Sequence, residues 1–275
     1  LCRELGIEYI VLKREPYGDL PPRSTTSLRD LPTMPYRIDL AGGWLDQPFV
    51  SQLHPGAVLT ISLEPTVEFN DRSGMATSTR NKALDLWGPR LPAGDPEKLA
   101  RILFAYDNPP GTKYISGSQD AIGIVFAGLA RADYDGAYWP SRIQHVRDET
   151  ILQFIEQSLY LIPLGPRESE YDPLTKRDIT REKAKALADA TERCWQALHH
   201  HDRAAFGSSV RAAFEAQVAM FPHMLNPMIE DLIAQYRDAA LGWKLSGAGG
   251  GGYLLLVADR PIDNAVRIHI RRGTY

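Results

Sequence analysis

The sequence predicts an α+β fold. Three observations carry this: β-rich runs broken by Gly and Pro across residues 35–140, helical stripes from residue 148 onward, and no regular βαβ alternation. At 275 residues the chain can bury a sizeable core, as one large domain or as two lobes.

The elements follow in order. Residues 1–34 hold one strand-like run, IEYIVL (7–12), then YGDLPPRSTTSLRDLPTMP, whose Pro, Ser and Thr content reads as loop and linker. PYRIDLAGGWLDQP (35–48) puts Arg37 and Asp39 on a short strand, breaks at Gly42-Gly43, and continues to Asp46. A second β-rich run, AVLTISLEPTVEFN, comes next. RSGMATSTRNKAL (72–84) is a Gly/Ser/Thr loop opening a helix, with helices expected near 81–87 and 96–106. SGSQDAIGIVFAGL (116–129) sets Gln119 and Asp120 at a small-residue turn before an apolar run. In REKAKALADATERCWQALHHHD, Ala184, Leu187, Thr191, Cys194 and Leu198 form one stripe at helical spacing. Phe206, Val210, Phe214, Val218 and Phe221 form the next, ended by Pro222, and a third helix is expected over 227–240. Last, KLSGAGGGGYLLLV (244–257) places five glycines directly before an apolar strand.

Bulk properties remove several function classes. A chain 44% apolar and 24% charged, with net charge −3, gives no support for a nucleic-acid or anionic-membrane surface. No apolar run approaches the roughly 20 residues of a membrane span, and no signal peptide is visible. Cys2 and Cys194 stand far apart without CxxC spacing, so a reducing, cytoplasmic compartment is the expectation. A chain starting at Leu1 is expected to be a piece of something longer. His199, His200 and His201 are consecutive at a helix end, where neighbours point about 100° apart and cannot converge on one metal. Trp195 and the Phe stripe read as core, and Arg167 in GPRESEYD as a solvated charge.

Four stretches carry candidate chemistry, and each has two readings from its residues alone. A glycine costs roughly 0.5–1 kcal/mol more than alanine to order in regular structure, so four in a row need a cause. That cause is a tight turn with close backbone packing, or a backbone that approaches a ligand. Arg37 and Asp39 beside Gly42-Gly43 suit recognition of a polar ligand, or equally a surface ion pair before a turn. The loop at 72–84 either turns backbone N–H groups and a positive helix end toward an anion, or is a plain Ser/Thr cap. Asp120 is either a helix N-cap or a buried base.

Taken together in this order, the stretches resemble the three motifs of the GHMP family of small-molecule kinases. PYRIDLAGGWLDQP resembles the first motif in its fucokinase and heptose 7-phosphate 1-kinase form. RSGMATSTRNKAL resembles the second, the phosphate loop P-x-x-x-G-L-G-S-S-A, and KLSGAGGGGY the third. The turn GSQD is similar to the one that holds the family's catalytic carboxylate. The resemblance covers roughly residues 35–260. It implies a two-lobed kinase fold: an N-terminal mixed α/β lobe over 35–140, and a helix-rich C-terminal lobe with a ferredoxin-like sheet over 141–275.

The resemblance also implies roles. Asp120 would be the catalytic base and Arg37 its partner and a contact of the γ-phosphate, in a transfer that depends on positioning and charge neutralisation. Asp46, Gly43 and Gln119 would bind a sugar or sugar phosphate. Gly74, Thr77, Ser78, Gly247, Gly249 and Gly250 would hold ATP, with Ser78 and Asp107 toward Mg²⁺. Two departures stand out: Ala76 replaces the middle glycine of the second motif, and Arg80 a small residue. If the loop needs a positive φ at 76, alanine costs about 1 kcal/mol there. Only about 27 residues separate Asp46 from Gly74, shorter than the family pattern.

A second resemblance lies in residues 1–34. GIEYIVLKREPYGDLPPRSTTSLR is similar to the last strand and STTxxR stretch of cytidylyltransferase-like nucleotidylyltransferases, without their HxGH stretch. It implies a covalently linked nucleotidylyltransferase domain upstream, and hence a kinase that makes a sugar 1-phosphate. A catalytically silent relative that binds sugar or nucleotide is the alternative, motivated by the altered second motif.

Overall fold

In a computed structural model of the chain, the described residues are 33–273 apart from 67, 70–72, 166, 168–170 and 173. The strand expected at 7–12, the STTxxR stretch and Cys2 lie outside them.

Two antiparallel sheets organise the chain. In the first, β1 (Tyr36–Ala41) pairs with β2 (Gly56–Leu63), β2 with β3 (Leu129–Tyr134), and β3 with β4 (Arg142–Val146). The strand that follows the expected lobe boundary at 141 thus pairs with β3. The second sheet has the order β6 (Gly242–Leu245), β7 (Tyr253–Val257), β5 (Leu159–Pro163) and β8 (Val266–Arg267). The helices are α1 (Pro48–Ser51), α2 (Thr77–Trp87), α3 (Pro96–Asp107), α4 (Ser118–Val125), α5 (Glu149–Ser158), α6 (Arg181–His199), α7 (Arg203–Met220) and α8 (Pro227–Tyr236). None of these is long and apolar enough to cross a membrane.

The helical stripes do what their spacing demands. Ala184, Leu187, Thr191, Cys194 and Leu198 are buried along α6, as are Phe206, Val210 and Phe214 along α7, with Phe221 just beyond it. Each large apolar side chain so buried contributes about 1.5–3 kcal/mol. α6 and α7 pack on each other, α6 against β1 and β2, and α7 against β6 and β7. A helix pair therefore fills the space between the sheets and fixes how β1 faces the β6–β7 connection.

Two local features differ from the sequence reading. α8 ends at Tyr236, short of residue 240, because the chain must extend into β6; Leu241 N already donates to Val257 O at 2.7 Å. Gln119 and Asp120 lie in the first turn of α4, whose N-cap is Gly117, so Asp120 is not a cap. The C-terminal segment returns to the first sheet. Arg271 N donates to Ser62 O at 2.8 Å, and its buried guanidinium donates to Ile124 O and Val125 O at the end of α4.

Candidate functional site

A cleft of about 840 Å³ opens where the ends of β1, α2 and α4 meet the β6–β7 connection. Arg37, Gly43, Asp46, Gln119 and Asp120 line it on one side, and Gly74, Thr77, Ser78 and Gly247 on another. Gly249, Gly250 and Asp107 are not among its lining residues. Side chains at Gly249 and Gly250 would meet Met224 and Tyr171 instead.

The glycines have a geometric cause. Gly74 has φ +85 and Gly247 φ +60, and a Cβ at Gly247 would stand 2.9 Å from Gly74 Cα. A Cβ at Gly74 would press on Ser246. The loop before α2 and the loop between β6 and β7 thus meet backbone to backbone, an approach only glycine permits. From outside, Arg167 Nε donates to Gly249 O at 2.8 Å and the Tyr171 hydroxyl to Ala248 O at 2.6 Å. Arg167 lines the cleft and clamps this loop; it is not the solvated charge that its turn context suggests.

Ala76 takes φ +55 and ψ +31, the left-handed conformation in which alanine is strained. Arg80 does not reach the cleft. It is buried, donates Nε to Met34 O at 3.0 Å, and lies 4.0 Å over the Tyr36 ring, bracing α2 on β1. Among the described residues, the helices α3, α5, α6, α7 and α8 each carry a side-chain N-cap, whereas α2 and α4, like the single-turn α1, carry none. The N-cap residues of α2 and α4, Ala76 and Gly117, both line the cleft. Two helix ends with uncapped N–H groups facing one cleft favour an anionic ligand.

A buried charge network runs under this surface. Arg37 Nη2 pairs with Asp120 Oδ1, and Arg37 Nη1 lies 3.3 Å from Asp39 Oδ1. Asp39 also pairs with the Lys244 ammonium and accepts from Gly247 N at 3.3 Å. Burial works against the charge on Arg37, but the neighbouring Asp120 and Asp39 hold its pKa above the usual arginine value. Burial lowers the pKa of Lys244, with Asp39 opposing. Asp46 is pushed up to about 7, first by burial and then by the charge of Asp120. It sits so close to Gly117 that a Cβ there would collide with its carboxylate. Asp46 Oδ2, Gln119 Oε1 and Arg37 Nε are buried without a partner, and all three belong to residues of the cleft wall. Buried polar atoms are normally satisfied, so these fit a hydroxyl-bearing ligand.

Three residues outside the expected set matter here. Thr79 donates its hydroxyl to Asp107 Oδ2 at 2.7 Å and lies 3.5 Å from Asp120 Oδ2, linking the two carboxylates. Burial raises the pKa of Asp107, against the Thr79 hydrogen bond. Lys244 neutralises Asp39, and Gln217 Nε2 holds Gly43 O at 3.0 Å. Thr79 and Lys244 stand inside motifs that the sequence singles out, but their partners are 28 and 205 residues away.

No family model matches the chain. Over 63 residues it is 44% identical to a Bacteroides fragilis protein named L-fucokinase/L-fucose-1-P guanylyltransferase, covering 23% of this chain and 6% of that one. Over 201 residues it is 26% identical to the bifunctional fucokinase/GDP-fucose pyrophosphorylase of Arabidopsis thaliana, covering 68% and 19%. The chain therefore spans only a small part of each relative's length. Among solved structures, a D-glycero-D-manno-heptose 1-phosphate kinase from Bacteroides thetaiotaomicron matches with TM-score 0.57 and 16% identity, over 86% of this chain and 94% of that one. The Streptococcus pneumoniae phosphomevalonate kinase in complex with phosphomevalonate and AMPPNP matches with TM-score 0.53 and 12% identity, over 82% and 91%.

The chain has the GHMP kinase fold. Ala76 takes a left-handed backbone, and Arg80 packs between α2 and β1. The stretch that resembles the third motif is the connection between two antiparallel strands.

Proposed function

We propose that this chain transfers the γ-phosphoryl group of ATP to a sugar or sugar phosphate, at the anomeric hydroxyl, giving a sugar 1-phosphate. The observation that carries this reading is the pairing of Asp120 with buried Arg37 at the wall of a cleft that two uncapped helix ends also face. Asp120 accepts the proton of the attacking hydroxyl, and Arg37 holds the carboxylate in place and offers charge toward the phosphate. Asp46 and Gln119 take the acceptor's hydroxyls through the polar atoms left unpaired there, and Gly43 lines the cleft beside them. The N-terminus of α2, with Gly74, Thr77, Ser78 and Gly247, holds the phosphates. Gly249 and Gly250 shape that loop from behind.

Mg²⁺ neutralises phosphate charge when bound, and it needs only one or two protein oxygens beyond those of the phosphates. Ser78 in the cleft wall fits that demand, whereas Asp107 lies behind the lining and reaches the cleft only through Thr79 and Asp120. The two curated relatives have names that join a fucokinase to a nucleotidyl transfer. That pairing supports a nucleotidylyltransferase domain linked to this chain in the native protein, which would consume a sugar 1-phosphate. The test is ADP release from Mg·ATP across free and phosphorylated hexoses and heptoses. Asp120→Asn should lower turnover on the order of 10²–10⁴-fold in a folded chain. Unchanged turnover in that variant removes Asp120 from the reaction.

A further inference from the structure

Trp44 follows the Gly42-Gly43 pair, and Leu45 N donates to Gly42 O at 3.0 Å, closing a turn around Gly43 and Trp44. Trp44 has φ +83, whereas Gly43 is not in the positive-φ region. This is the pattern of a type II turn, whose third residue is normally Gly or Asn. A bulky residue there is a genuine outlier, and it persists only where its surroundings over-determine it. The surroundings are visible. Phe221, fully buried beyond the end of α7, stacks on the indole with ring centroids 4.2 Å apart and planes 23° apart. The indole is half-buried and lines the cleft beside Phe49, Asp46 and Gln47. One face therefore rests on Phe221, and Trp44 contributes to the cleft wall that Asp46 also lines.

We propose that Trp44 is a stacking platform for the apolar face of the acceptor's pyranose ring and so determines which acceptors the cleft takes. This rests on the phosphotransferase reading for the identity of the acceptor. A pyranose carries C–H bonds on its faces and hydroxyls around its rim. The indole suits the first, and the unpaired oxygens of Asp46 and Gln119 suit the second. The strained turn and the buried Phe221 hold the platform rigid, so a ring with an unbroken C–H face is favoured over one with axial hydroxyls on that face.

The test uses the full chain and two measurements: calorimetric titration with L-fucose, D-galactose and D-mannose without ATP, and ADP release with the same sugars. Trp44→Gly suits the turn and removes the platform; Trp44→Asn also tolerates the positive φ and serves as a second platform-free variant. Sugar affinity should fall by about tenfold in both, the amount expected for loss of one aromatic contact. The KM for ATP should stay as in the parent, and Trp44→Phe should recover most of the sugar affinity. Binding that depends on Trp44 in a chain releasing no ADP upholds the platform while the phosphotransferase reading fails. Equal sugar affinity and equal sugar KM in the parent and a folded platform-free variant overturns it, as does a folded parent that binds none of these sugars.

Discussion

Lys244 donates its ammonium to both the carboxylate and the main-chain carbonyl of Asp39, the latter at 2.8 Å, across 205 residues of sequence. Both side chains are buried, at 0% and 1% exposure. This pair joins β6 to β1 and, through Gly247 N on the same carboxylate, ties the glycine loop to the first sheet. Lys244→Met fills much of the same volume and leaves Asp39 with Arg37 alone as its cation. Removing one partner of a buried pair is strongly destabilising, so the variant should lose about 3 kcal/mol. Urea denaturation of parent and variant measures this, and a loss below about 1 kcal/mol would mean that the pair contributes as little as a surface one.

The pKa of Asp46, raised to about 7, makes a pH prediction with a definite sign. Its folded value lies above the unfolded one, so the folded chain binds the extra proton. The associated stability is fully present below the ordinary carboxylate range and is lost as pH rises through about 7. Asp46→Asn removes this dependence, so the variant's stability relative to the parent should increase from pH 5 to pH 8. Thermal unfolding across that range reads it. In the proposed function, sugar hydroxyls donate to the carboxylate, so the parent's KM for sugar should fall as pH rises through about 7. A flat difference in melting temperature would contradict the shifted titration.

Gly247 and Gly249 separate two roles within one loop. Gly247 lines the cleft against Gly74, whereas Gly249 has φ +78 and faces Met224. Valine at either site meets a left-handed backbone strain of roughly 1–2 kcal/mol, so both should unfold at lower temperature. Only Gly247→Val should also abolish the rise in melting temperature that Mg·ATP gives the parent. Equal protection by Mg·ATP in the parent and Gly247→Val would place the nucleotide elsewhere.

The altered phosphate loop yields a paired prediction. Ala76 already holds φ +55, so Ala76→Gly should relieve strain and, after the entropy that glycine adds to the unfolded chain, stabilise by about 0.5–1 kcal/mol. Ser78→Ala should weaken binding of a non-hydrolysable Mg·ATP analogue by about 1–3 kcal/mol, the range for a hydroxyl beside a charged partner. Calorimetry on the folded parent tests whether the altered loop holds nucleotide. No heat from the parent at millimolar ligand favours the silent relative, and heat without ADP release leaves it as a nucleotide binder.

Much of the architecture was legible because it is periodic or local. The stripe from Ala184 to Leu198 lies on one helical face, and that face is the buried one. Pro222 marks the end of α7, and the glycines from Gly247 onward mark a backbone approach whatever lies opposite. The order of the four candidate stretches pointed to one family of folds, and the structure brings Arg37, Asp46, Gly74, Ser78, Asp120 and Gly247 to one cleft.

The sequence by itself thus determined the helices α2, α3, α6, α7 and α8, the strands β1, β2 and β7 and the glycine loop, because side-chain period and glycine content act over a few residues. Only the tertiary structure decided which charges meet. Asp39 could have been one half of a surface ion pair, and it is the buried hub between Arg37, Lys244 and Gly247. Arg80 could have faced a phosphate or solvent, and it packs on Tyr36. Thr79 gave no sign of joining Asp107 to Asp120. Apart from Arg37, two residues from Asp39, these partners are 28 to 208 residues apart, and hydrogen bonds and ion pairs form at contact distances set by packing α6 and α7 between the two sheets. Periodicity along a chain records which face is buried, whereas that packing alone selects what the buried face touches.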